Sequence, residues 1–569
     1  MGIPTYFRSL LKNHHNDILF KNIDTIDHVF IDFNSLIYKS FQDCQKKNQT
    51  VEESFIIDEC IHRINDIIKK VKPQKTFYIS IDGTAPFAKI IQQRSRRYKS
   101  VILNEMIQKK KMEYNIEFNK NNFDPSCNIC PGTIFMYKLE SKIIKFIKLN
   151  NWNFNFYLDG SNHPGEGEHK FLNRIRKISN NESIIIFSPD GDLLSLSLLL
   201  QKNNIWIMRI PDPKSLWEKP FSDTNDYLFV SIDKLKEYFL NEFSIMDSNT
   251  FINDYNILLM MVGNDFICSL SFLKIRSGGL DLLLNIYKRI IKPNYSLSFI
   301  ENNNICINYS FFLELMKELS IIEEYEMKKE WKKIYKEYNG LNDHFRLLSE
   351  KEMSKIELYE SRLQHLSFFN HDNPLFNEYG NEWKNIDMNS NDWKNQFNQY
   401  FFNTSNNLDD IIKNYIESLL FTISYYTKKC PSYTWYYKYR NAPLPSDIVL
   451  FLEKNPNIFK SLSFQNDSPY TPFEQLLFIL PAQQYHILPT IFKDDIIKYN
   501  NINIYNLKLD VLAGLKFIYS EIIFPDNINY YDILFIQKIY NHHSLSLNNQ
   551  EKFRNRINHR IWLKPVKLL

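Results

Sequence analysis

The first half of the chain alternates short apolar runs with longer stretches of mixed polarity. Apolar runs of strand length predict buried β-strands at 28–33, 76–82, 154–160, 183–189 and 205–210. Between the first two runs, isoleucines recur at three- and four-residue spacing from Ile57 to Val71, which predicts an amphipathic helix. This rhythm predicts an α/β fold, with a mostly parallel sheet flanked by helices on both faces.

The pattern changes near residue 309. A charged helical stretch runs to about residue 338, an Asn-rich and acidic stretch at 369–391 predicts a tether, and the chain after Trp393 is mainly helical. Because 569 residues are too many for one ordinary domain, we expect several parts. The pattern divides the chain into an α/β core, a helical connection with its tether, and a mainly helical second segment, at 1–300, 301–390 and 391–569.

Charge and cysteine content limit the class of protein. The net charge is only +4, so any surface for nucleic acid has to be local. Seven scattered cysteines favour reduced thiols inside a cell. No apolar run is long enough to span a bilayer. We therefore expect an intracellular monomer without a membrane partner, cytoplasmic in preference to nuclear.

Acidic residues follow the predicted strands. They are Asp32, Asp82, Glu166, Glu168, Asp190 and Asp192, and Asp265 follows a further apolar segment. In a parallel sheet, residues beyond the carboxyl ends of the strands meet at one edge. So many carboxylates repel one another unless cations lie between them, and hard oxygen ligands suit Mg²⁺ or Mn²⁺. Two such ions, roughly 4 Å apart, can hydrolyse a phosphodiester.

Each acid also has an ordinary structural interpretation. Acids after strands often cap helices or occupy turns, so Asp192 could cap the helix that follows it. Glu166, between Gly165 and Gly167, could lie in a solvated turn. The joint occurrence of all seven acids favours the metal site over these interpretations.

A basic stretch follows Asp82 directly. On a helix, one face would carry Lys89, Gln93, Arg96 and Arg97. Arginine forks and a lysine ammonium suit a terminal phosphate, although a solvated basic helix is the alternative. Because a predicted metal ligand lies next to this stretch, we favour the phosphate site and expect Arg94 and Lys99 to be solvated.

Together these motifs resemble the Xrn family of 5′→3′ exoribonucleases, whose core belongs with the PIN and flap-endonuclease-like nucleases. The resemblance is carried in the first half by MGIPTYFRSL, IDFNSLIY, IDGTAPFAKIIQQRSRR, SCNICPGTIFM, PGEGEHK, PDGDL and GNDF. In the second half it is carried by CPSYTWYYKYRNAPLPSDI and PFEQLLFILP. It spans nearly the whole chain, without the long C-terminal extensions of the large cytoplasmic members.

The resemblance implies roles for individual residues. The seven acids match the family's metal ligands, and the four residues of the basic face match its pocket for a 5′-monophosphate. Trp435 looks like the aromatic residue on which the first base stacks. Tyr38 stands where the family has a histidine as the stacking partner, and a tyrosine still offers a flat ring. The second segment would then complete the active-site pocket of a nuclease core.

The activity implied is hydrolysis of 5′-monophosphorylated single-stranded RNA to mononucleotides with two Mg²⁺ or Mn²⁺ ions, in mRNA or other RNA degradation. Two alternatives stay open. A flap-endonuclease-like DNA nuclease would need a helix-hairpin-helix signature, which the sequence lacks. A catalytically inactive RNA-binding scaffold would be favoured by loss of a metal-binding acid, and none of the seven is missing.

Overall fold

The structure is a computed structural model, and it describes residues 6–47, 51–116, 123–213, 215–222, 227–243, 247–349, 354–362, 385–403, 408–499, 508–510, 521–523 and 528–566. Within these residues the strands are β1 Leu19–Phe20, β2 His28–Asp32, β3 Thr76–Ser80, β4 Asn155–Asp159, β5 Ile184–Phe187, β6 Ile205–Arg209, β7 Leu228–Ser231, β8 Ser298–Glu301, β9 Asn304–Ile307, β10 Lys508–Asp510, β11 Glu521–Ile523 and β12 Trp562–Lys564.

The main sheet has the strand order β1-β7-β6-β5-β2-β3-β4-β12. The five strands at its centre, β6 to β4, are parallel, while β1, β7 and β12 pair antiparallel at the two edges. These five central strands are the predicted ones, and the mostly parallel sheet is confirmed. Residues 1–5 (MGIPT), which begin the first of the family motifs, lie outside the described residues.

Helices account for most of the rest of the described chain. In the first half they are α1 Tyr6–Ile18, α2 Phe33–Lys47, α3 Glu53–Val71, α4 Phe87–Glu113, α5 Pro125–Asn128, α6 Ile134–Leu149, α7 Gly167–Ile175, α8 Asp192–Leu199, α9 Lys219–Ser222, α10 Ile232–Glu242, α11 Ser248–Met261 and α12 Gly279–Ile290. Further along they are α13 Tyr309–Ser349, α14 Lys355–Arg362, α15 Trp393–Phe402, α16 Asp409–Thr427, α17 Pro445–Lys454, α18 Ile458–Ser461, α19 Pro472–Ile479, α20 Thr490–Tyr499, α21 Ile528–His543 and α22 Asn549–Asn555. The mainly helical second half is confirmed.

The two faces of the sheet belong to separate apolar clusters. Successive residues of a strand point to opposite faces, so Phe30 faces one cluster while Val29 and Ile31 face the other. The first cluster includes residues of α7, α8, α11 and α16, and the second is built with α2, α3 and α6. Helices therefore cover both faces, as the alternating pattern predicts.

The end of the chain joins the sheet, which the sequence pattern did not predict. Strand β12 pairs with β4, with Trp562 opposite Leu158. The Lys564 ammonium donates to the carbonyl oxygens of Ile147, Lys148 and Asn150, at 2.9, 3.2 and 2.5 Å. These carbonyls end α6 and lack partners within the helix, so the lysine satisfies them and complements the helix dipole.

A third apolar cluster connects the two halves. Phe87 and Ile90 of α4 are buried with Phe473 of α19, Phe492 of α20 and Ile536 of α21. Helix α13 extends beyond the predicted end near residue 338, to Ser349. The part of the predicted tether up to residue 384 lies outside the described residues.

None of the described helices combines the length and the apolar character needed to cross a membrane.

Candidate active site

Four neighbouring strands bring the predicted acids to one edge of the sheet. Asp32 is the last residue of β2, is 7% exposed, and accepts a 3.0 Å hydrogen bond from the Ser188 hydroxyl. Asp82 follows β3 and accepts a 2.6 Å hydrogen bond from the backbone N–H of Gly167. Asp190 and Asp192 follow β5. The structure therefore gathers residues from β5, β2, β3 and β4 at the carboxyl ends of the strands.

The bend that carries Glu166 and Glu168 depends on glycine. Gly165 has φ +101°, a conformation that side chains disfavour. A Cβ on Gly167 would lie 3.2 Å from Asp82 Oδ1 and 3.2 Å from the carbonyl oxygen of Ser80, closer than ordinary contact. The small residues thus let α7 begin directly against the end of β3 and bring Glu166 close to Asp82.

Two groups of side chains have the spacing of a cation site. One oxygen from each of Glu168, Asp190 and Asp192 lies within 4.8 Å of the other two. Glu166, Glu168 and His169 form a second group by the same measure. Among the described residues, no group donates a hydrogen bond to the buried Asp192 Oδ1. A buried carboxylate oxygen without a partner is costly, and a hard divalent cation is the ligand that an all-carboxylate group suits.

Crowding of like charges raises several pKa values. Burial, followed by the Asp190 charge, raises the pKa of Asp192 to about 7. Burial and the Glu166 charge raise the pKa of Asp82 to about 6. Burial and neighbouring carboxylates also hold the pKa of Asp32 and that of Glu168 well above their ordinary values. These acids repel one another, as expected of a group that shares bound cations.

The structural alternatives for two of the acids are wrong. Asp192 is the first residue of α8 and Gly191 is its N-cap, with no side-chain capping bond. Glu166 is only 8% exposed, so it does not lie in a solvated turn. Its carboxylate accepts a 2.9 Å hydrogen bond from the Tyr425 hydroxyl of α16. Helix capping therefore does not explain the position of Asp192, and a solvated turn does not explain that of Glu166.

Asp265 reaches the site from a different kind of element. The apolar segment before Asp265 is helix α11. The Asp265 carboxylate is contacted by two cationic side chains and one amide from α4. Lys89 Nζ lies 2.5 Å from it, Gln92 donates to it at 2.5 Å, and an Arg96 nitrogen lies 3.6 Å away. Although burial raises the pKa of Asp265, the Lys89 and Arg96 charges hold it below the usual range.

Lys89 lies between two predicted metal ligands. Its ammonium is 2.6 Å from Glu166 Oε2 and 2.5 Å from Asp265 Oδ2. Burial alone would lower the pKa of Lys89, but the charges of Asp265 and Glu166 raise it well above its ordinary value. The charged lysine therefore neutralises part of the acidic edge from the side of α4.

The basic face of α4 divides between two environments. Lys89 and Arg96 face Asp265, whereas the Arg97 guanidinium donates to the Gln93 carbonyl at 2.9 Å and to Cys130 Sγ at 2.7 Å. Arg97 Nε is buried and has no hydrogen-bond partner within the described ranges. The Gln93 side chain accepts a 3.1 Å hydrogen bond from the amide of Gln475 in α19.

The solvated role predicted for Arg94 is wrong. Its guanidinium is buried and lies 4.5 Å from the centroid of the Phe478 ring. Helix α19, which carries Phe478, covers this side of α4, and a cation over an aromatic face is favourable when water is excluded.

The two predicted stacking residues lie in different apolar clusters. Tyr38, on α2, packs against the cluster that contains α3 and α6. Burial raises the pKa of Tyr38, and the nearby Arg97 charge opposes that rise. Trp435 packs against the other cluster, stacked on Phe421 with ring centroids 4.6 Å apart. Its indole N–H donates to Glu417 at 3.2 Å. A base held by both rings stays a prediction.

Three side chains at the site were not predicted. His169 is partly buried against the Tyr425 ring, with centroids 3.9 Å apart, and desolvation lowers its pKa to about 3. Its position in HPGEGEHK, directly after Glu168, was a usable signal. Gln92 had a similar signal beside Gln93. Tyr425 had none, because 259 residues separate it from the glutamate that it contacts.

Comparisons with known proteins agree with this geometry. The family model described as the XRN 5′-3′ exonuclease N-terminus matches residues 1–210. The model described as the Xrn1 helical domain matches residues 245–365 and 343–563, which together make up more than half of the chain. The chain belongs to the Xrn family. The family resemblance inferred from the motifs is therefore confirmed.

Several curated Xrn relatives are similar over most of this chain. The 5′-3′ exoribonuclease 1 of Schizosaccharomyces pombe is 25% identical over 87% of the chain and 45% of that protein. The human 5′-3′ exoribonuclease 1 is also 25% identical, over 87% of the chain and 31% of that protein. The 5′-3′ exoribonuclease 2 of Gallus gallus is 24% identical over 87% of the chain and 65% of that protein. The chain spans less than half the length of the exoribonuclease 1 relatives.

Proposed function

We propose that this chain is a metal-dependent 5′→3′ exoribonuclease that removes mononucleotides from single-stranded RNA with a 5′-monophosphate. The observation that carries the proposal is the juxtaposition of a carboxylate group with cation spacing and a basic helix face. Relatives named 5′-3′ exoribonuclease support the reaction class. RNA degradation, with single-stranded RNA as the partner, follows from that class.

The acidic edge is the proposed reaction centre. Glu168, Asp190 and Asp192 would hold Mg²⁺ or Mn²⁺, and Asp32, Asp82, Glu166 and Asp265 would complete the set of ligands. Two divalent cations in such a site polarise the scissile phosphate and supply a nucleophile at neutral pH. The protein contributes a buried position, fixed by the Ser188 and Gly167 hydrogen bonds to Asp32 and Asp82. The Tyr425 hydroxyl holds Glu166 in the same way.

Helix α4 is proposed to recognise the 5′ end of the RNA. Lys89, Gln93, Arg96 and Arg97 are the predicted 5′-phosphate ligands, and charge-assisted contacts of this kind discriminate strongly against an end without charge. Lys89 pairs with Glu166 and Asp265, so a phosphate that approaches α4 also approaches the metal ligands. This proximity would place the first scissile bond beside the carboxylates and favours cleavage of one nucleotide at a time.

The decisive assay uses matched RNAs. Purified protein in Mg²⁺ is given 5′-monophosphate, 5′-hydroxyl and capped RNA of one sequence, together with single-stranded DNA of that sequence. We expect mononucleotides from the first RNA only. Asp190→Asn should slow cleavage by several orders of magnitude while RNA binding survives, because an amide is a poorer ligand for a hard cation.

End recognition is tested on α4. Arg97→Ala or Lys89→Ala should reduce the preference for 5′-phosphate over 5′-hydroxyl RNA by roughly 1.5–3 kcal/mol, or about 10- to 150-fold. Lys109→Ala is the matched control, an exposed lysine of the same helix more than three turns from Arg97. Equal losses on both RNAs would mean that these residues hold the backbone rather than the end.

Two other outcomes would replace the proposal. Internal cleavage of flapped DNA, with intact single-stranded RNA, would favour a structure-specific endonuclease. Tight RNA binding without cleavage in either Mg²⁺ or Mn²⁺ would favour an inactive scaffold.

A further inference from the structure

Trp435 lies in a segment without helix or strand, between the end of α16 and the start of α17. Regular hydrogen bonding does not fix such a segment, so its shape depends on side chains that bind its backbone. Because this segment carries the predicted stacking residue, the side chains that hold it bear on how the RNA end is recognised.

Asp467 holds this segment with both carboxylate oxygens. Oδ1 accepts from the backbone N–H of Tyr433 at 2.5 Å. Oδ2 accepts from the Ser432 hydroxyl at 2.6 Å, and from the N–H and hydroxyl of Thr434 at 3.0 and 2.5 Å. Three consecutive residues thus donate to one carboxylate from a distant part of the chain. Although burial raises the pKa of Asp467, these hydrogen bonds hold it below its ordinary value.

The contacts made by Ser432 and by the stretch around Asp467 also include Trp435. The Ser432 hydroxyl, which donates to Asp467, also accepts a 3.1 Å hydrogen bond from the Trp435 backbone N–H. Phe464, three residues before Asp467, packs edge-on against the Trp435 ring with centroids 5.8 Å apart. The stretch that contains Asp467 therefore restrains both the backbone and the ring of the tryptophan.

The same residues reach the basic helix. Tyr433 donates its N–H to Asp467, and its carbonyl oxygen accepts a 2.8 Å hydrogen bond from the N–H of Phe87. Phe87 is the first residue of α4, where backbone N–H groups have no partner within the helix. Through Tyr433, one carboxylate thus connects the stacking segment to the start of the helix that carries the predicted phosphate ligands.

We infer that Asp467 is a positioning residue for 5′-end recognition, which fixes Trp435 relative to the phosphate-binding face of α4. This inference rests on the function proposed above. Asparagine at this position keeps one acceptor oxygen and turns an NH₂ group toward the donors at the other, so the network cannot form in either orientation. Asp467→Asn should therefore weaken recognition without touching the acids.

The test is a double-mutant cycle with Trp435. In the parent protein, Asp467→Asn should raise KM for 5′-phosphorylated RNA about tenfold with kcat changed less, since a base stack is lost or misplaced. In a Trp435→Ala background the same change should raise KM less than about twofold. An equal effect in both backgrounds would overturn the inference.

Two controls separate positioning from misfolding. Glu474→Gln alters a carboxylate whose hydrogen bonds, among the described residues, come from the Thr471 backbone N–H and hydroxyl at the start of α19, so it should leave KM unchanged. Ser432→Ala removes the hydroxyl that joins Asp467 to the Trp435 backbone but leaves the Tyr433 and Thr434 contacts with Asp467 in place. It should therefore raise KM by a smaller factor, which keeps the test valid if Asp467→Asn does not fold.

A second measurement does not depend on nuclease activity. The fluorescence of Trp435 is obtained as the difference between the parent and Trp435→Phe, and its quenching by acrylamide is compared with and without Asp467→Asn. Increased quenching is expected, and unchanged quenching would overturn the positioning role. An inactive parent protein with increased quenching would refute the proposed function and leave Asp467 as the residue that holds Trp435.

Discussion

Replacing Asp192 with asparagine should make the metal-free protein more stable while removing a metal ligand. Asp192 is 5% exposed, and one of its oxygens has no hydrogen-bond partner in the part of the chain that the structure describes. Its pKa rises from 3.8 to about 7 on folding. A carboxyl whose pKa is raised contributes stability that is present below about pH 3.8 and is lost as the pH rises through about 7. Above that pH the ionised group lowers the free energy of unfolding, and asparagine, which carries no charge, removes this destabilisation.

The magnitude follows from the pKa difference. At about 1.4 kcal/mol per pH unit, ionised Asp192 destabilises the metal-free fold by on the order of 4 kcal/mol at pH 8. With an unfolding entropy of about 2.1 cal/mol/K per residue, this corresponds to a rise in melting temperature of roughly 3–6 °C, depending on how much of the chain unfolds together.

The assay is thermal unfolding in EDTA between pH 5 and pH 8. The gap between Asp192→Asn and the parent should be largest at pH 8 and should shrink toward pH 5, where the parent carboxyl is protonated. Mg²⁺ should stabilise the parent more than the variant, because a ligand that binds only the folded state raises its stability. Asp281→Asn, an exposed carboxylate of α12, is the matched control, and we expect it to change little at any pH.

A variant that is less stable than the parent at pH 8, or a gap that does not depend on pH, would refute the reasoning. The acids would then be relieved by contacts within the protein, and the case for shared cations would lose its electrostatic support.

Three further substitutions test other contacts. Lys564→Met should lower the free energy of unfolding by about 1–2 kcal/mol through the lost carbonyl contacts at the end of α6, with unchanged 5′-end preference; an unchanged melting temperature would contradict this role. Tyr425→Phe should slow cleavage several-fold without changing end preference, because Glu166 loses one charge-assisted hydrogen bond, and full activity would show that this bond is dispensable. Trp435→Ala should weaken binding of 5′-phosphorylated RNA by roughly 1–3 kcal/mol for all four bases. Trp435→Phe should retain most of the affinity, and a loss confined to one base would argue against stacking.

The sequence could predict the acidic edge because its signals are local. Each central strand is a short apolar run, and the acids follow those runs directly, so the meeting of Asp32, Asp82 and Asp192 required only that the strands be parallel. The edge strand β12 is three residues long and pairs with a strand roughly 400 residues away. No local pattern marks so short a segment as a strand.

The sequence could not predict which residues contact α4, for a different reason. Helical spacing correctly places Lys89 and Arg96 toward the same side, where both contact Asp265. The spacing does not reveal which neighbouring element covers the rest of the helix. Arg94 is buried because Phe478 of α19 lies over it, and Arg97 turns toward Cys130 before α6. Those contacts depend on tertiary packing, which outweighs the basic character of the local sequence.

The start of α4 explains why the second half of the chain matters to a site whose acids all lie in the first. Pro86 is the N-cap, and it has no side chain that could accept a hydrogen bond from the first turn. The oxygen of the buried Gln475 side chain accepts a 3.0 Å hydrogen bond from the N–H of Ala85. Its nitrogen donates to Gln93, which lies nearly two turns into the helix. One side chain of α19 therefore fixes both the entry to α4 and a predicted phosphate ligand. The proposed phosphate-binding face is therefore positioned in part by the second half of the chain, which supplies acceptors for the backbone N–H groups of Ala85 and Phe87.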